Sequence, residues 1–419
     1  VCSLALLCLL FFAQNSHGQS TFISSDVSKG FEAQEEQSCI IVMKKQWKAP
    51  EFIKSWDKES KGKFVFENLQ AVAKKDQKGL ITYFKKESID YQPYFVFNGM
   101  KAVLTKEQLQ MVEKVKGIES ILLDQSSRLQ VYDRGLSFDR EEIEWGVSQI
   151  QADKVWELGT EGKGVVVAGQ DTGYDFDNPF INANYRGFDG SSYEHNYNWH
   201  DAVHSLNPLH NDPNDDPNHN PCGLDSNIPC DDHNHGTHTM GTMVGNNPDL
   251  KIGVAPQAQW IGCRNMDRGW GSPSTYTECF EWFLAPTDLE YNVPDPSKSP
   301  HVIANSWGCP EIEGCNPDNW MFMETVINNL VAAGIVVVVS AGNDGSQGCS
   351  SIDRPASMFE SSFVVGASNQ VDSVAHFSSY GPVTIDGSGR WKPDLVAPGV
   401  DVKSIVLDGF GTWSGTSMA

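Results

Sequence analysis

The sequence predicts an α/β protein whose main sheet is mostly parallel, preceded by a small α+β domain in the order βαββαβ. Three observations predict it. Two runs, Val165-Val166-Val167-Ala168-Gly169 and Gly334-Ile335-Val336-Val337-Val338-Val339, are apolar without alternation over strand length. That pattern marks strands covered on both faces, as in parallel sheets. Between Ser38 and Asp124, strand-like and helical stretches follow one another as βαββαβ, a small sandwich. At 419 residues there is room for more than one domain and a sizeable core.

Taken in order, the chain opens with Leu4 to Ala13, dominated by Leu and Phe, then polar Gln14-Asn15-Ser16-His17-Gly18. That length suits the apolar core of a secretory signal and falls short of the about 20 residues of a membrane span. Residues 1–18 are therefore expected to be a signal, truncated because the chain starts at Val1 without the usual basic residues. The protein is expected outside the cell, without stable membrane insertion. In the small domain, residues 38–124, Cys39-Ile40-Ile41-Val42-Met43 reads as a strand. Phe66 to Glu87 reads as largely helical, with a weak point at Gly79. Tyr94-Phe95-Val96-Phe97 and Lys101-Ala102-Val103-Leu104 read as strands around an Asn98-Gly99 hairpin turn. Thr105 is expected to cap a helix running to about Lys116, and Ile118 to Leu123 supplies the last strand. Residues 125–144 form a polar join carrying Arg128, Arg134 and Arg140, and residues 145–419 form the larger domain.

The net charge of −23 hides an asymmetry. Between Lys44 and Lys116, 16 lysines stand against 9 acids; from Glu141 to Ala419, 37 acids stand against 11 Lys and Arg. Opposite signs of +7 and −26 suggest that the two segments face each other. Nucleic acid is not an expected partner of so acidic a domain. Of the ten cysteines, Cys222–Cys230 and Cys309–Cys315 are the short-range disulfide candidates for a secreted chain. Seven cysteines lie in the larger domain, so one is expected to stay free or to pair elsewhere.

Three stretches carry chemistry. In His235-Gly236-Thr237-His238 two imidazoles share a helix face, and imidazole is the usual proton carrier near neutral pH. Asp171, in Gln170-Asp171-Thr172-Gly173, ends the first apolar strand, where catalytic groups gather in open α/β sheets. Gly415-Thr416-Ser417-Met418-Ala419 closes the chain. Asp, His and Ser in that order resemble the subtilisin-like serine proteases. Further matches are Ser340-Ala341-Gly342-Asn343-Asp344-Gly345, Asn305-Ser306-Trp307-Gly308, Gly253-Val254-Ala255-Pro256 and Lys392-Pro393-Asp394-Leu395-Val396-Ala397-Pro398-Gly399. Arg264-Asn265-Met266-Asp267 and the stretch Cys279 to Asp288 look most like the bacillopeptidase F branch. The resemblance spans about Glu144 to Ala419, so the domain reads as truncated at its C-terminus.

The resemblance implies a mostly parallel sheet with helices on both faces and a secreted serine endopeptidase. Ser417 would attack the peptide carbonyl, His235 would take its proton, and Asp171 would hold the imidazole. Ser417 would stand at the first turn of a helix. Asn343 and the Ser417 amide would stabilise the oxyanion, and Ser306, Trp307 and Gly308 would line the substrate site. The βαββαβ segment would be an inhibitory propeptide, with maturation cleavage between Asp124 and Glu144. Partners would thus be polypeptide substrates and the chain's own propeptide.

The same residues carry rival readings. Asp-Thr-Gly also marks aspartic proteases, but no second Asp-Thr-Gly or Asp-Ser-Gly is present. Eight of eleven histidines lie between His195 and His238 among Asp212, Asp215, Asp216, Asp231 and Asp232. Without His-Glu-x-x-His, their irregular spacing suits a solvated loop better than a zinc site. No cofactor or metal is assigned. Calcium on this loop is left open, and Phe180 stands where the family's usual calcium site has an acid. The alternative is a catalytically inactive pseudoprotease or binding protein on the same fold. Asp353, near the bottom of the specificity pocket, would favour Lys or Arg before the cut bond.

Overall fold

A computed structural model describes residues 21–129, 132–136, 143–207, 209–210, 216, 218–247, 250–308 and 315–419. The expected signal, Arg140 and Cys309 lie outside the described residues. The N-terminal sheet contains β1 (Phe22–Ile23), β2 (Glu36–Met43), β3 (Tyr91–Tyr94), β4 (Gly99–Thr105) and β5 (Ile118–Leu123). Their spatial order is β1-β5-β2-β4-β3. Helices α1 (Ser25–Gly30), α2 (Lys58–Asp76), α3 (Lys78–Glu87) and α4 (Lys106–Val112) complete the unit. From β2 onward this is the βαββαβ order, with the helical segment split in two and β1 and α1 added in front.

Strand β2 explains its own composition. Cys39, Ile41 and Met43 join a core with Leu80, Phe84 and Ile121, whereas Ile40 and Val42 join the core of the larger domain. Successive side chains point to opposite faces, so a strand buried on both reads as an unbroken apolar run. Thr105 caps α4 through a capping box with Gln108. That helix ends at Val112, short of the expected Lys116. The helical break falls at Gln77 rather than Gly79, because the Gln77 side chain donates to the Tyr94 carbonyl at 2.7 Å and to Asn98 Oδ1 at 3.1 Å. The hairpin turn spans residues 95–98 instead of Asn98-Gly99. Its amides at Phe95 and Val96 donate to Glu281 of the larger domain (2.8 Å from Val96), so they are not free to pair as strand.

The join supplies β6 (Ser127–Arg128) and β7 (Tyr132–Leu136). Past α5 (Trp145–Gln149) and α6 (Ala152–Glu157) comes β8 (Val166–Asp171), an interior strand of the large sheet. Strands β9 (Trp199–Asp201), β10 (Gln259–Arg264), β13 (Val302–Asn305), β14 (Val336–Ser340), β15 (Phe363–Ser368) and β16 (Leu395–Pro398) join it. The order is β16-β15-β14-β13-β8-β10-β9, and every neighbouring pair is parallel. Short strands β11 (Met266–Asp267) and β12 (Trp270–Gly271), and the pair β17 (Val402–Val406) and β18 (Gly409–Ser414), lie outside it.

Helices α8 (Pro273–Leu284) and α9 (Pro317–Ala332) cover one face, packing Phe280, Phe283, Met323 and Ile327 with Ala168, Ile303 and Val337. On the other face α7 (His235–Val244) packs Met240 and Val244 with Trp260 and Val167. The fold is therefore the α/β architecture expected, with helices on both faces. The N-terminal domain rests on α8 and α9: Phe97 packs on Phe322 with ring centres 5.2 Å apart, and Asn329 donates to the Val96 carbonyl at 2.7 Å.

Candidate active site

Asp171 is the last residue of β8, and His235 is the first residue of α7. Both are buried. Asp171 Oδ1 lies 2.7 Å from His235 Nδ1 and accepts the Thr172 amide at 2.8 Å. His235 Nε2, the far side of the ring, has no hydrogen-bond partner among the described residues. Trp413 of β18 stacks beside this pair, 4.6 Å from the His238 ring and 6.2 Å from the His235 ring. Burial and the neighbouring His235 push the His238 imidazole down to about 3. His238 is therefore neutral in use, and of the two imidazoles of the His-x-x-His pattern only His235 contacts a carboxylate, that of Asp171.

Ser417 follows β18 in a turn closed by the Met418 amide on the Gly415 carbonyl. Its Oγ donates to the Ser306 carbonyl at 3.2 Å, and the Ser306 hydroxyl donates back to the Ser417 carbonyl at 3.2 Å. Asn343 is held by its oxygen: Oδ1 accepts from the Thr416 amide (2.9 Å) and hydroxyl (3.0 Å). That leaves the amide nitrogen of Asn343 as the donor end, 3.6 Å from where a Cβ on Gly415 would stand. Ser306, Trp307, Gly308, Asn343 and Ser417 line one cleft. The Trp307 indole itself is buried against Tyr276, ring centres 3.8 Å apart, so it shapes the wall from behind.

The expected carboxylate at the pocket bottom is corrected. Arg354, rather than Asp353, reaches the cleft. Asp353 Oδ1 accepts from Arg354 Nε at 2.9 Å, and Asp344 pairs with the same guanidinium at 2.7 Å. The adjacent cation therefore takes the charge that a substrate side chain was expected to find. Arg354 stands next to Asp353 in sequence, but nothing in the sequence shows that it, and not Asp353, lines the cleft.

The two ends of the histidine-rich loop are buried, at His200 and Asp201 and at Asp231 and His235, while His204, Leu209, Asp216 and His219 between them are exposed, as expected of a solvated loop. His200 and His204 share Glu278 of α8 (2.8 and 2.9 Å to Oε1), and Asp201 pairs with fully buried Arg264 at 2.7 Å. The charge of Arg264 at the end of β10 draws the loop inward. Burial lifts the Asp232 carboxyl to about 7, against the pull of Arg264. Among the described residues no group of three His, Cys, Asp or Glu side chains is arranged to hold a metal. Phe180 packs edge-on against Phe410, ring centres 5.1 Å apart, and offers no oxygen donor where the calcium ligand was sought.

Disulfides join Cys222 to Cys230, as expected, and Cys263 to Cys279, which spacing did not single out. Cys315 is disulfide-bonded, and its expected partner lies outside the described residues. Cys349 is free and exposed.

The join runs along the cleft. Strand β6 pairs antiparallel with β12, the Leu129 amide donates to the Gly269 carbonyl at 2.7 Å, and Arg128 and Leu129 line the same cleft as Ser417. Beyond it, β7 pairs antiparallel with β18. Both β6 and β7 are thus added strands on the larger domain, the usual way an extended peptide is bound.

Residues 162–419 match the model of the subtilase family. The chain is similar to bacillopeptidase F of Bacillus subtilis (strain 168), 32% identical over 97% of this chain and 29% of that protein. It is similar to subtilisin E of the same strain, 29% identical over 66% of this chain and 58% of that one. An alkaline protease of Shouchella clausii is 27% identical over 82% of this chain and 78% of its own length. The chain thus spans less than a third of bacillopeptidase F and under two thirds of subtilisin E.

Proposed function

The chain belongs to the subtilase family, and on that premise we propose that it is a secreted serine endopeptidase made as a self-processing zymogen. Asp171, His235 and Ser417 are its triad. The observation that carries the reading is the 2.7 Å Asp171–His235 contact at the C-terminal edge of the parallel sheet. Ser417 and Asn343 line one cleft.

The reaction follows from these groups. Ser417 Oγ leaves the Ser306 carbonyl by rotation about its side chain and attacks the peptide carbon as His235 Nε2 takes its proton. The buried Asp171 carboxylate stabilises the imidazolium so formed. Asn343, its oxygen already engaged by Thr416, presents N–H to the developing oxyanion together with the Ser417 amide. His235 then hands the proton to the leaving nitrogen, giving an acyl-enzyme. Water, deprotonated by the same imidazole, attacks the ester carbon and frees Ser417. Side chains and backbone amides alone carry these steps.

The N-terminal domain is the intramolecular inhibitor, and its tail is the first substrate. The first cut falls, on this reading, between Leu129 and Tyr132, a choice supported by the strand pairings of β6 and β7 on either side. Secretion is inferred from the apolar run Leu4 to Ala13; no helix among the described residues is long and apolar enough to cross a membrane. The test is Ser417→Ala in the complete chain, expressed without other proteases. The variant should keep its N-terminal domain attached, while the parent chain yields a new N-terminus between residues 129 and 132. Normal processing in the variant would refute self-maturation, and unchanged peptide hydrolysis would refute the triad.

A further inference from the structure

Asp231 stands four residues before His235 and is buried. Its carboxylate accepts from three stretches of chain at once. Oδ1 takes the Thr172 hydroxyl at 2.8 Å and the amides of His233 and Asn234, both at 2.9 Å. Oδ2 takes the amide and the hydroxyl of Thr237, at 2.9 and 2.6 Å. Thr172 follows Asp171 directly, and Thr237 follows His235 by two. One carboxylate therefore grips both segments that carry the acid–base pair.

Each threonine hydroxyl is used twice. Thr172 Oγ1 accepts the Gly236 amide at 3.0 Å, and Thr237 Oγ1 accepts the Asp175 amide at 3.0 Å. The backbone is shaped for this approach. A Cβ on Gly173, whose φ is +113°, would lie 1.7 Å from the Cys230 carbonyl oxygen, and one on Gly236 would lie 2.1 Å from that of Gly173. Helix α7 gains no cap from Asn234, its own N-cap residue. Its first amides end on Thr172 and Asp231 instead. An asparagine at 231 would turn an NH₂ toward donors, losing acceptors that five hydrogen bonds require.

We propose that Asp231 is a positioning residue of the active site: by clasping Thr172 and Thr237 together, it fixes the contact between Asp171 Oδ1 and His235 Nδ1. A plain helix cap would need only the amides of α7. The bonds to the Thr172 hydroxyl and, through Thr237, to the Asp175 amide tie the helix to the strand loop that carries Asp171. The inference rests on the endopeptidase reading above.

The test uses Asp231→Asn, Thr237→Val and Thr237→Ser in the complete chain, beside Ser417→Ala. A misplacement on the order of 1 Å can cost roughly 10²-fold. Asp231→Asn should therefore lower kcat by about that factor with KM near the parent value. Thr237→Val should act in the same direction and Thr237→Ser should restore the rate. A second readout needs no turnover: the downfield NMR resonance of the His235 Nδ1 proton should move in the first two variants and return in Thr237→Ser. If the parent chain and Ser417→Ala cleave peptides alike, the endopeptidase reading fails, and the resonance alone judges the clasp. Parent-like kcat together with an unmoved resonance in Asp231→Asn and Thr237→Val overturns the positioning role. Should Asp231→Asn fail to fold, the Thr237 pair decides.

Discussion

Replacing Asp171 by asparagine would remove a charge while keeping the shape of the site. The Thr172 amide donates to Asp171 Oδ1, so it selects the carbonyl oxygen of an asparagine for that position. The same oxygen faces His235 Nδ1 at 2.7 Å, and the imidazole keeps its tautomer. What is lost is the attraction between the carboxylate and the imidazolium that forms as Ser417 gives up its proton. At this separation and an effective dielectric constant of about 20, Coulomb's law gives roughly 6 kcal/mol. That is on the order of four powers of ten in rate. The N-terminal domain of the variant would be trimmed by a trace of tagged parent enzyme, then removed by its tag. Turnover of a chromogenic peptide at saturation is then the assay. kcat should fall by about 10⁴ while KM stays near the parent value, and the remaining activity should come from the oxyanion donors and binding. A loss of only about tenfold, which is about 1.4 kcal/mol, would show that Asp171 does not stabilise the imidazolium.

Burial under the N-terminal domain lifts the Glu281 carboxyl to about 8, whereas the uncovered group would titrate near the ordinary value of about 4.3. Docking therefore takes up a proton: the contribution is fully present below about 4.3 and is lost as pH rises through about 8. Retention of the cut domain, followed by co-sedimentation, should weaken over that window in the parent chain and stay flatter in Glu281→Gln. Lys58, lowered to about 8 chiefly by burial, acts with the opposite sign above pH 8, so the comparison belongs below it. The Cys263–Cys279 bond closes a sequence separation of 16 residues between β10 and α8. Replacing both cysteines by alanine should cost about 3 kcal/mol, read as a lower calorimetric melting temperature with the fold retained.

What the sequence made legible follows from physics that acts locally. The apolar run at Val165 predicts a strand covered on both faces, and β8 is one, ending at Asp171. Thr105 and Gln108 are three residues apart, and their capping box forms. Cys222 and Cys230 bracket a short loop, and they bond. The differences come from partners distant in sequence. The helix breaks at Gln77 because Tyr94 and Asn98 offer its side chain acceptors. Residues 95 and 96 leave the strand because Glu281 takes their amides. The start of the histidine loop is held by Arg264, which pairs with Asp201, whereas Asp353 is an exception, lost as a free carboxylate to its sequence neighbour Arg354. For the site, motif order pointed to Asp171 and His235, which meet, and to Ser417 and Asn343, which are joined through Thr416. Asp231 was visible only as one acid among several in a loop. Nothing in its spacing announces that Thr172, 59 residues away, donates to it.

The two-faced sheet of the N-terminal domain bears on how activity would appear. Cutting the chain between Leu129 and Tyr132 breaks a peptide bond but removes none of the contacts that hold the domain on α8 and α9. Ile40, Val42, Leu122 and Phe97 remain in the core of the larger domain, and each such side chain is worth about 1.5–3 kcal/mol of burial. The polar contacts also survive: Gln92 on Glu278, Asn329 on the Val96 carbonyl, and the amides of Phe95 and Val96 on Glu281. Strand β6 stays paired with β12, holding Arg128 and Leu129 along the cleft wall. Only β7, on the far side of the cut, is freed to move with the new N-terminus. Cleavage and unmasking are therefore separate events on this architecture. On the proposed reading the first would depend on the triad, whereas the second would depend on loss of the domain that strand pairing and the α8–α9 interface still retain.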